Sequence, residues 1–377
     1  MTAPMIEDEI DAALDDVARK FAANEYVFEE RHRLNATERR FSGSAWSSIA
    51  EMGWLSVATP EEFGGLGLRI SSITVLAEAA GAMFLNEPLT DTAFCGAYLV
   101  SELGSPLQKA DMCPRILDGS LRLSVALDPA EWLPASASAI AVGGNGLLTG
   151  SLPLLPGADI ADRILVRATD PSGATAIYSV NPQAEGVEVS PYPLVDGRGA
   201  ASVTLAGAAG ELLGEQGPIA ETVVRNALAI GALATAADSL GVMNRALNTT
   251  VEYMKTRVQF GRPIGENQVL QHRAVDMHML TQEARAVVAA SVNAGGLDSK
   301  AFHHHVHAAK AIVDTNAREV AHGAIQLHGG IGMADEHVAG LCLWRVMVNE
   351  QLFGQQRDHM DLFGKGLPEG FDLESAD

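Results

Sequence analysis

The spacing of apolar residues predicts helices in the first third of the chain. From Glu7 to Glu29, apolar residues recur every three or four positions, which places them on one face of a helix. Three later segments continue the helical pattern, namely Ser44 to Met52, Ile73 to Phe84 and Thr92 to Leu103. We therefore predict an N-terminal helical domain over residues 1–120.

The pattern changes from helical to strand-like at Leu121. Short apolar runs follow, separated by Pro, Gly, Asn and Asp, at 121–127, 139–142, 147–148, 163–168, 176–180, 187–189 and 201–205. Turn signals about every ten residues are typical of a small antiparallel barrel or sandwich. The sequence thus predicts a middle β domain over residues 121–214.

Helical periodicity returns at Pro218 and continues to about Phe363. Four long segments are separated by short glycine-bearing loops, at 218–256, 265–294, 298–327 and 336–363. Long helices with short connections form antiparallel bundles. The predicted fold class is α+β, in which an N-terminal helical domain, a small β-barrel or sandwich domain and a C-terminal four-helix bundle (215–377) follow one another.

Composition and charge exclude several classes of protein. The net charge of −21 disfavours nucleic-acid binding, because a phosphate polymer needs a basic surface. No run of 18 residues has the uniform apolarity of a membrane span, and the acidic N-terminus resembles no targeting peptide. The three cysteines form no CxxC pair, which suggests a reducing cytoplasm.

One segment, Tyr253 to Gln271, predicts an anion site between two helices. The run YMKTRVQFGRPIGENQVLQ leaves a long helix, turns at Gly261 and Pro263, and enters a new helix. It brings Arg257 and Arg262 close to a helix N-terminus, and both features favour phosphate. A plain interhelical turn with solvated arginines is the alternative interpretation.

This segment, the order of the domains and a second motif resemble the acyl-CoA dehydrogenase family. The second motif is Ala324 to Gly332, AIQLHGGIG, and the weaker motif EFGGLG lies at Glu62 to Gly67. The resemblance covers essentially the whole chain. It implies an FAD-dependent enzyme that removes two hydrogens from the α and β carbons of an acyl-CoA, with an electron-transfer flavoprotein as electron acceptor.

The resemblance also implies which residues bind FAD. Arg257 matches the arginine at the FAD pyrophosphate, and Phe260 and Gln268 match positions beside the nucleotide half. A glycine loop that reaches FAD on a neighbouring subunit is matched by Gln326, Gly329, Gly330 and Gly332. Different protomers are expected to supply Arg257 and this loop to one dinucleotide, so the protein should be an oligomer.

The catalytic base departs from the family pattern. Many members carry a glutamate where this chain has Phe353, and a subgroup carries one where it has Gly231. Asp238 lies seven residues after Gly231, on the same helical face, and is the proposed base. The alternatives are that Asp238 is bound to a backbone N–H or an arginine, that a solvated Glu350 acts, or that a partner chain supplies the base.

The loops that touch the flavin ring depart from the pattern as well. The family usually offers threonines there, whereas the corresponding stretches here are Ala126 to Pro129 and Leu154 to Gly157. Short relatives in steroid-degrading bacteria often pair unlike subunits of which only one carries the base. The resemblance thus implies a dehydrogenase for a bulky, for example steroid-derived, acyl-CoA. A non-catalytic partner subunit and a flavin monooxygenase of the same fold are the alternatives.

A histidine cluster invites a metal interpretation. His303 and His307 are spaced i, i+4, but no acidic residue stands near them in the manner of a zinc motif. An exposed polar helix face is the favoured interpretation, and no metal site is predicted.

Overall fold

The first part of the chain is helical, as predicted. The computed structural model describes residues 9–37, 39–127, 140–169, 172–334 and 337–367. Its N-terminal elements are α1 (Glu9–Asn24), α2 (Phe28–Asn35), α3 (Gly43–Glu51), α4 (Ile70–Met83), a π-helix (Thr90–Gly96), α5 (Ala97–Leu103) and α6 (Pro106–Leu117). The single helix predicted from Glu7 to Glu29 is thus divided between α1 and α2. Helix α6, which the apolar pattern did not reveal, begins with a capping box between Ser105 and Gln108.

The middle of the chain is a curled sheet of mixed strands. The strands are β1 (Leu123–Ala126), β2 (Ile140–Val142), β3 (Leu148–Pro156), β4 (Arg163–Thr169), β5 (Thr175–Val180), β6 (Val187–Pro193), β7 (Gly199–Ala208) and β8 (Glu211–Leu212). Their order is β6-β7-β3-β2-β4-β5-β8, and β1 also pairs with β4. The prediction of purely antiparallel strands was wrong, because β1 and β2 both pair with β4 in parallel.

The last part of the chain is a helical bundle. It contains α7 (Pro218–Thr256), a short hairpin of β9 (Val258–Gln259) and β10 (Arg262–Pro263), then α8 (Gln268–Val292), α9 (Lys300–His328), α10 (Val338–Asn349) and α11 (Gln356–Lys365). The predicted fourth helix is two helices, α10 and α11. The chain breaks between them because Phe353 and Gly354 both have positive φ, 55° and 97°.

The N-terminal helices and the bundle share one apolar core, and the sheet has a second. Helices α4 and α7 touch backbone to backbone. A Cβ on Gly81 would lie 1.9 Å from the Asp238 carbonyl oxygen, and one on Gly241 would lie 1.9 Å from the Glu78 carbonyl oxygen. This close approach, which only glycine permits, fixes the middle of α7 against the N-terminal part.

Helix α7 is long and apolar enough to cross a membrane by length and composition alone. Its most apolar stretch is nevertheless completely buried inside the protein. It is therefore placed as the central core helix of the bundle.

Candidate active site

A pocket of about 340 Å³ lies where the sheet meets both helical parts. Its wall comes from the segment between α4 and the π-helix, from β1 to β3, from the middle of α7 and from the end of α10. Leu85, Leu89, Leu155 and Phe353 make much of this wall apolar. Pockets of this kind at domain junctions are the usual sites for small-molecule ligands.

Asp238, the proposed base, borders this pocket and is held by an arginine. Arg345 donates from Nε to Asp238 Oδ1 (2.9 Å) and from Nη2 to Oδ2 (2.6 Å), and Asn349 Nδ2 donates to Oδ1 (2.7 Å). Burial alone raises the pKa of Asp238, but the charge and hydrogen bonds of Arg345 outweigh burial, and the net pKa is lowered. The arginine-bound alternative is the arrangement found, and a base role for Asp238 remains a prediction.

Arg345 is the centre of a buried ionic network that the sequence analysis missed. Its Nη1 donates to the Leu85 carbonyl (3.0 Å) and lies 3.4 Å from Asp196 Oδ2. Arg198 in turn pairs with Asp196 (2.6 Å) and donates to Asn349 Oδ1 (2.8 Å). The sequence signal was Arg345 itself, because an arginine in the apolar helix VAGLCLWRVMVN is rarely buried without an acidic partner.

Gly231 and Phe353, which the sequence analysis matched to the family's two glutamate positions, are in contact. A Cβ on Gly231 would lie 2.3 Å from Cε1 of Phe353, so the aromatic ring occupies the space above that glycine. Phe353 lines the pocket. Neither Gly231 nor Phe353 has a group that accepts a proton, and the Phe353 ring occupies the space where a side chain at position 231 would lie.

Glu350 is not the solvated side chain that the sequence predicted. Its side chain is only 9% exposed and is paired with Arg318, whose Nε donates to Oε1 at 2.8 Å and whose Nη2 contacts Oε2. The solvated interpretation was wrong because the end of α10 packs against α9, which supplies the arginine.

Both stretches that match the family's flavin-ring loops border the pocket. Ala126 and Leu127 line it from β1, and Leu154 to Gly157 line it from the end of β3. Asp128 and Pro129 lie outside the described residues. The sequence therefore placed both stretches at one site, and the side chains described there are aliphatic rather than hydroxylated.

The pocket also contains a carboxyl that the sequence analysis did not single out. Asp91, on the π-helix, is 9% exposed and its Oδ1 accepts a hydrogen bond from the Val125 backbone N–H at 3.4 Å. Burial raises the pKa of Asp91 to about 7, against the lowering effect of that hydrogen bond and of the Arg198 charge. The signal was an aspartate inside an apolar segment, PLTDTAFCGAYLV.

The residues matched to the nucleotide half of FAD form a corner at one end of the bundle. Arg257 is the C-cap of α7, Phe260 lies in the turn of the β9–β10 hairpin, and Gln268 begins α8. Arg257 and Gln268 are exposed, and Phe260, with φ of 51°, is completely exposed. An aromatic ring and a guanidinium are thus presented on the surface of one protomer.

The glycine loop lies at the same end of the bundle. Tyr253 and His328 stack with ring centroids 4.5 Å apart, which joins the end of α7 to the end of α9, where Gln326 is exposed. No heavy atom of the described chain lies within 4 Å of a Cβ built on Gly329 or Gly330.

Gly332 is packed instead, since its Cβ would lie 3.0 Å from His328 Cβ. Arg257 and the loop thus lie at the same end of the bundle in one protomer, and their supply to one dinucleotide by different protomers stays a prediction. Open backbone beside an exposed arginine fits a pyrophosphate group.

The histidines of α9 do not form an exposed polar face, and that prediction was wrong. His307 is buried, and its Nδ1 lies 3.0 Å from Nδ1 of His359. Burial lowers the pKa of His307 to about 4 and that of His359 to about 3. His303 is half-buried and hydrogen-bonds Asn226. The reason is that α11 packs on this side of α9.

Comparison with known sequences matches both helical parts of the chain. The profile described as acyl-CoA dehydrogenase, N-terminal domain, matches residues 8–120, and the profile of the C-terminal domain matches residues 221–367. Acyl-CoA dehydrogenase FadE27 of Mycobacterium tuberculosis is 29% identical over 323 residues, which cover 82% of this chain and 84% of the relative. Acyl-CoA dehydrogenase IpdE2 of Mycolicibacterium smegmatis is 28% identical over 325 residues, which cover 86% of this chain and 88% of the relative.

Solved structures share the whole architecture. The Tcur3481–Tcur3483 steroid ACAD is 27% identical with a TM-score of 0.85, covering 95% of this chain and 97% of that chain. The ChsE4–ChsE5 complex from Mycobacterium tuberculosis is 24% identical with a TM-score of 0.87 and covers 98% of this chain and 100% of that chain. At this identity the similarity shows a shared fold. With two family profiles covering most of its length, the chain belongs to the acyl-CoA dehydrogenase family, flavoprotein oxidoreductases that act on CH–CH groups.

Proposed function

We propose that this protein uses FAD to dehydrogenate a bulky acyl-CoA thioester between its α and β carbons. The observation that carries the proposal is the apolar pocket at the junction of sheet and bundle, bordered by both stretches that match flavin-ring loops. Its 340 Å³ falls within the range of small-molecule sites. The steroid ACAD among the related structures supports a bulky acyl group, such as a steroid-derived one.

The chain's own residues hold the cofactor at the corner and the acyl group in the pocket. Arg257 binds the pyrophosphate, Gly329 and Gly330 offer backbone N–H groups, and Phe260 contacts the nucleotide half. When bound, FAD supplies an acceptor for the hydride from the β carbon. Leu85, Leu89 and the other apolar side chains of the wall exclude water from the reacting carbons. An electron-transfer flavoprotein then receives the electrons.

The corner lies far from the pocket within one protomer, which supports shared sites. Asp238 and Arg257 are 19 positions apart on α7, which corresponds to about 28 Å along a helix. Exposed apolar side chains surround the corner, and they are Phe260, Val269, Ile331 and Met333. We propose that a second protomer covers this surface, so that the corner of one subunit serves a dinucleotide whose ring reaches the pocket of another.

The second candidate function is a non-catalytic partner subunit of a heteromeric dehydrogenase. The aromatic ring at Phe353 and the arginine-bound states of Asp238 and Glu350 favour it. The Tcur3481–Tcur3483 enzyme, named as a pair of proteins, supports a pair of unlike chains.

The flavin spectrum of the purified chain separates the two candidates. If the chain is an enzyme by itself, it is yellow when purified alone, and a suitable acyl-CoA bleaches it. If it is a partner subunit, it is colourless alone and becomes yellow when produced together with the product of a neighbouring gene. An assembly that contains every natural companion and binds no flavin would contradict both.

A further inference from the structure

The π-helix Thr90–Gly96 directs a carboxyl into the proposed substrate pocket. π-Helical turns are rare in proteins, and those that occur often lie at functional sites. This one places Asp91 in the pocket wall, where 9% of the residue remains exposed. Gly96 closes this turn without a side chain, since a Cβ there would lie 2.6 Å from the Asp91 carbonyl oxygen and 2.7 Å from the Leu123 side chain.

Asp91 is held less tightly than the other acidic groups of the pocket, Asp238 and Glu87. Asp238 is held by Arg345, and Glu87 accepts hydrogen bonds from the Tyr26 hydroxyl (2.7 Å) and the Ser42 backbone (3.0 Å). Among the described residues, no Lys, Arg or His lies within 4.0 Å of the Asp91 carboxyl. The hydrogen bond that it accepts from Val125 N–H, at 3.4 Å, is longer than the usual 2.7–3.2 Å.

We propose that Asp91 is the catalytic carboxylate of this pocket and takes the α proton of the bound acyl-CoA. The α C–H bond breaks, its proton passes to a carboxylate oxygen of Asp91, and its electron pair forms the C=C bond. A bound flavin would accept the β C–H pair as hydride, and the substrate would thereby lose two electrons. This inference rests on the proposed dehydrogenase function.

The electrostatics of the pocket suit a base. Burial raises the pKa of Asp91 to about 7, and a general base works best when its pKa is near the working pH. The charged side chains around the pocket are Glu87, Arg167, Arg198, Asp238 and Arg345. Of these, Arg198 acts on Asp91 and lowers its pKa, while Arg198 itself is bound to Asp196. Proton abstraction should therefore increase as the pH rises through about 7.

Proton abstraction can be measured without the redox step. The probe is 3-thiaoctanoyl-CoA, in which sulfur replaces the β carbon, so that no hydride can leave. The assembly is loaded with FAD in D2O, and proton NMR follows the exchange of the α protons. In Asp91→Asn, which keeps an oxygen for Val125 N–H, exchange should fall at least about 100-fold. In Asp11→Asn, a buried acid bound to Ser72 outside the pocket, exchange should remain at the wild-type rate.

A second readout needs no ligand. The infrared band of protonated carboxyl groups should contain a component that disappears with a midpoint near pH 7 and that Asp91→Asn lacks. Exchange that survives in Asp91→Asn, or a wild-type spectrum without that component, would overturn the role of Asp91 and leave the dehydrogenase proposal standing. Failure of the wild-type assembly to bind FAD would instead remove the proposed function, and this inference with it.

Discussion

At the scale of single residues, two aspartates on the pocket have opposite environments. Asp238 receives two hydrogen bonds from Arg345 and one from Asn349, whereas Asp91 receives one long bond from a backbone N–H. The pKa of Asp238 is accordingly lowered and that of Asp91 is raised. Pairs of groups whose pKa values are driven apart are typical of catalytic pockets.

We expect Asp238→Asn to lower the free energy of unfolding by about 3 kcal/mol at pH 7, because Arg345 remains buried after losing its main anion. Chemical denaturation measures this. The double variant Asp238→Asn with Arg345→Met should recover most of the loss. Because the folded-state pKa of Asp238 is lowered, its contribution is complete above about pH 4 and disappears as the pH falls through that lowered pKa. An unchanged stability at pH 7 would contradict the ion pair.

We expect Asp91→Asn to have the reverse effect on stability. The raised pKa means that the folded state favours the protonated carboxyl, so this residue's contribution is lost as the pH rises through about 7. At pH 8 the variant should be more stable than wild type by roughly 2–4 kcal/mol, since each pKa unit corresponds to about 1.4 kcal/mol. At pH 4 the two proteins should unfold at similar denaturant concentrations. A gain of equal size at both pH values would show that charge is not the cause.

At the scale of elements, the break between α10 and α11 shapes the pocket. Phe353 and Gly354 follow the end of α10, and both have positive φ. The Phe353 ring packs on α7 above Gly231. An uninterrupted fourth helix, as the periodicity predicted, could not direct this ring onto Gly231.

We expect Gly231→Ala to destabilise the protein by roughly 1–3 kcal/mol, because the added methyl would lie 2.3 Å from the Phe353 ring. Thermal unfolding of the single variants and of the double variant with Phe353→Ala tests this contact. The double variant should lose less stability than the sum of the two single variants. If the stability losses of the two single variants simply add up in the double variant, the Phe353 ring is not in contact with residue 231.

At the scale of the whole molecule, the corner formed by Arg257, Phe260 and Gln268 exposes apolar side chains. Phe260 is 102% exposed and Met333 is 71% exposed, beside the exposed guanidinium of Arg257. A large apolar side chain held in solvent at positive φ is unusual and is typical of an interface or ligand contact. We therefore propose that the cofactor binds and the subunits assemble together.

We expect Phe260→Glu to weaken both assembly and flavin binding without changing the fold of the protomer. Light scattering should show a shift toward smaller species, and the flavin-to-protein absorbance ratio should fall together with it. Leu107→Glu is the matched control, because Leu107 is 84% exposed on α6, outside the corner. Equal effects of the two variants would point to general insolubility, and no effect of Phe260→Glu would remove the corner from the interface.

Sequence patterns predicted the features that depend on neighbours along the chain. The helices at both ends, the strands between them and the turn at Gly261 follow from apolar periodicity and from backbone preferences. The glycine loop and the stretches that border the pocket were likewise recognised from local motifs. The parallel pairing of β1 and β2 with β4 was missed, because strand direction depends on how the chain crosses the sheet.

The sequence by itself thus determined the fold class and the family, since both follow from local patterns and their order along the chain. Only the tertiary structure decided which charges are neutralised. Arg345 reaches Asp238 across 107 positions, and Arg318 reaches Glu350 between two helices. Asp91 lines the pocket, and its carboxyl accepts a long hydrogen bond from Val125 N–H. The physical reason is that a carboxyl's proton affinity depends on burial and on partners in space, and neither is encoded in its immediate neighbours.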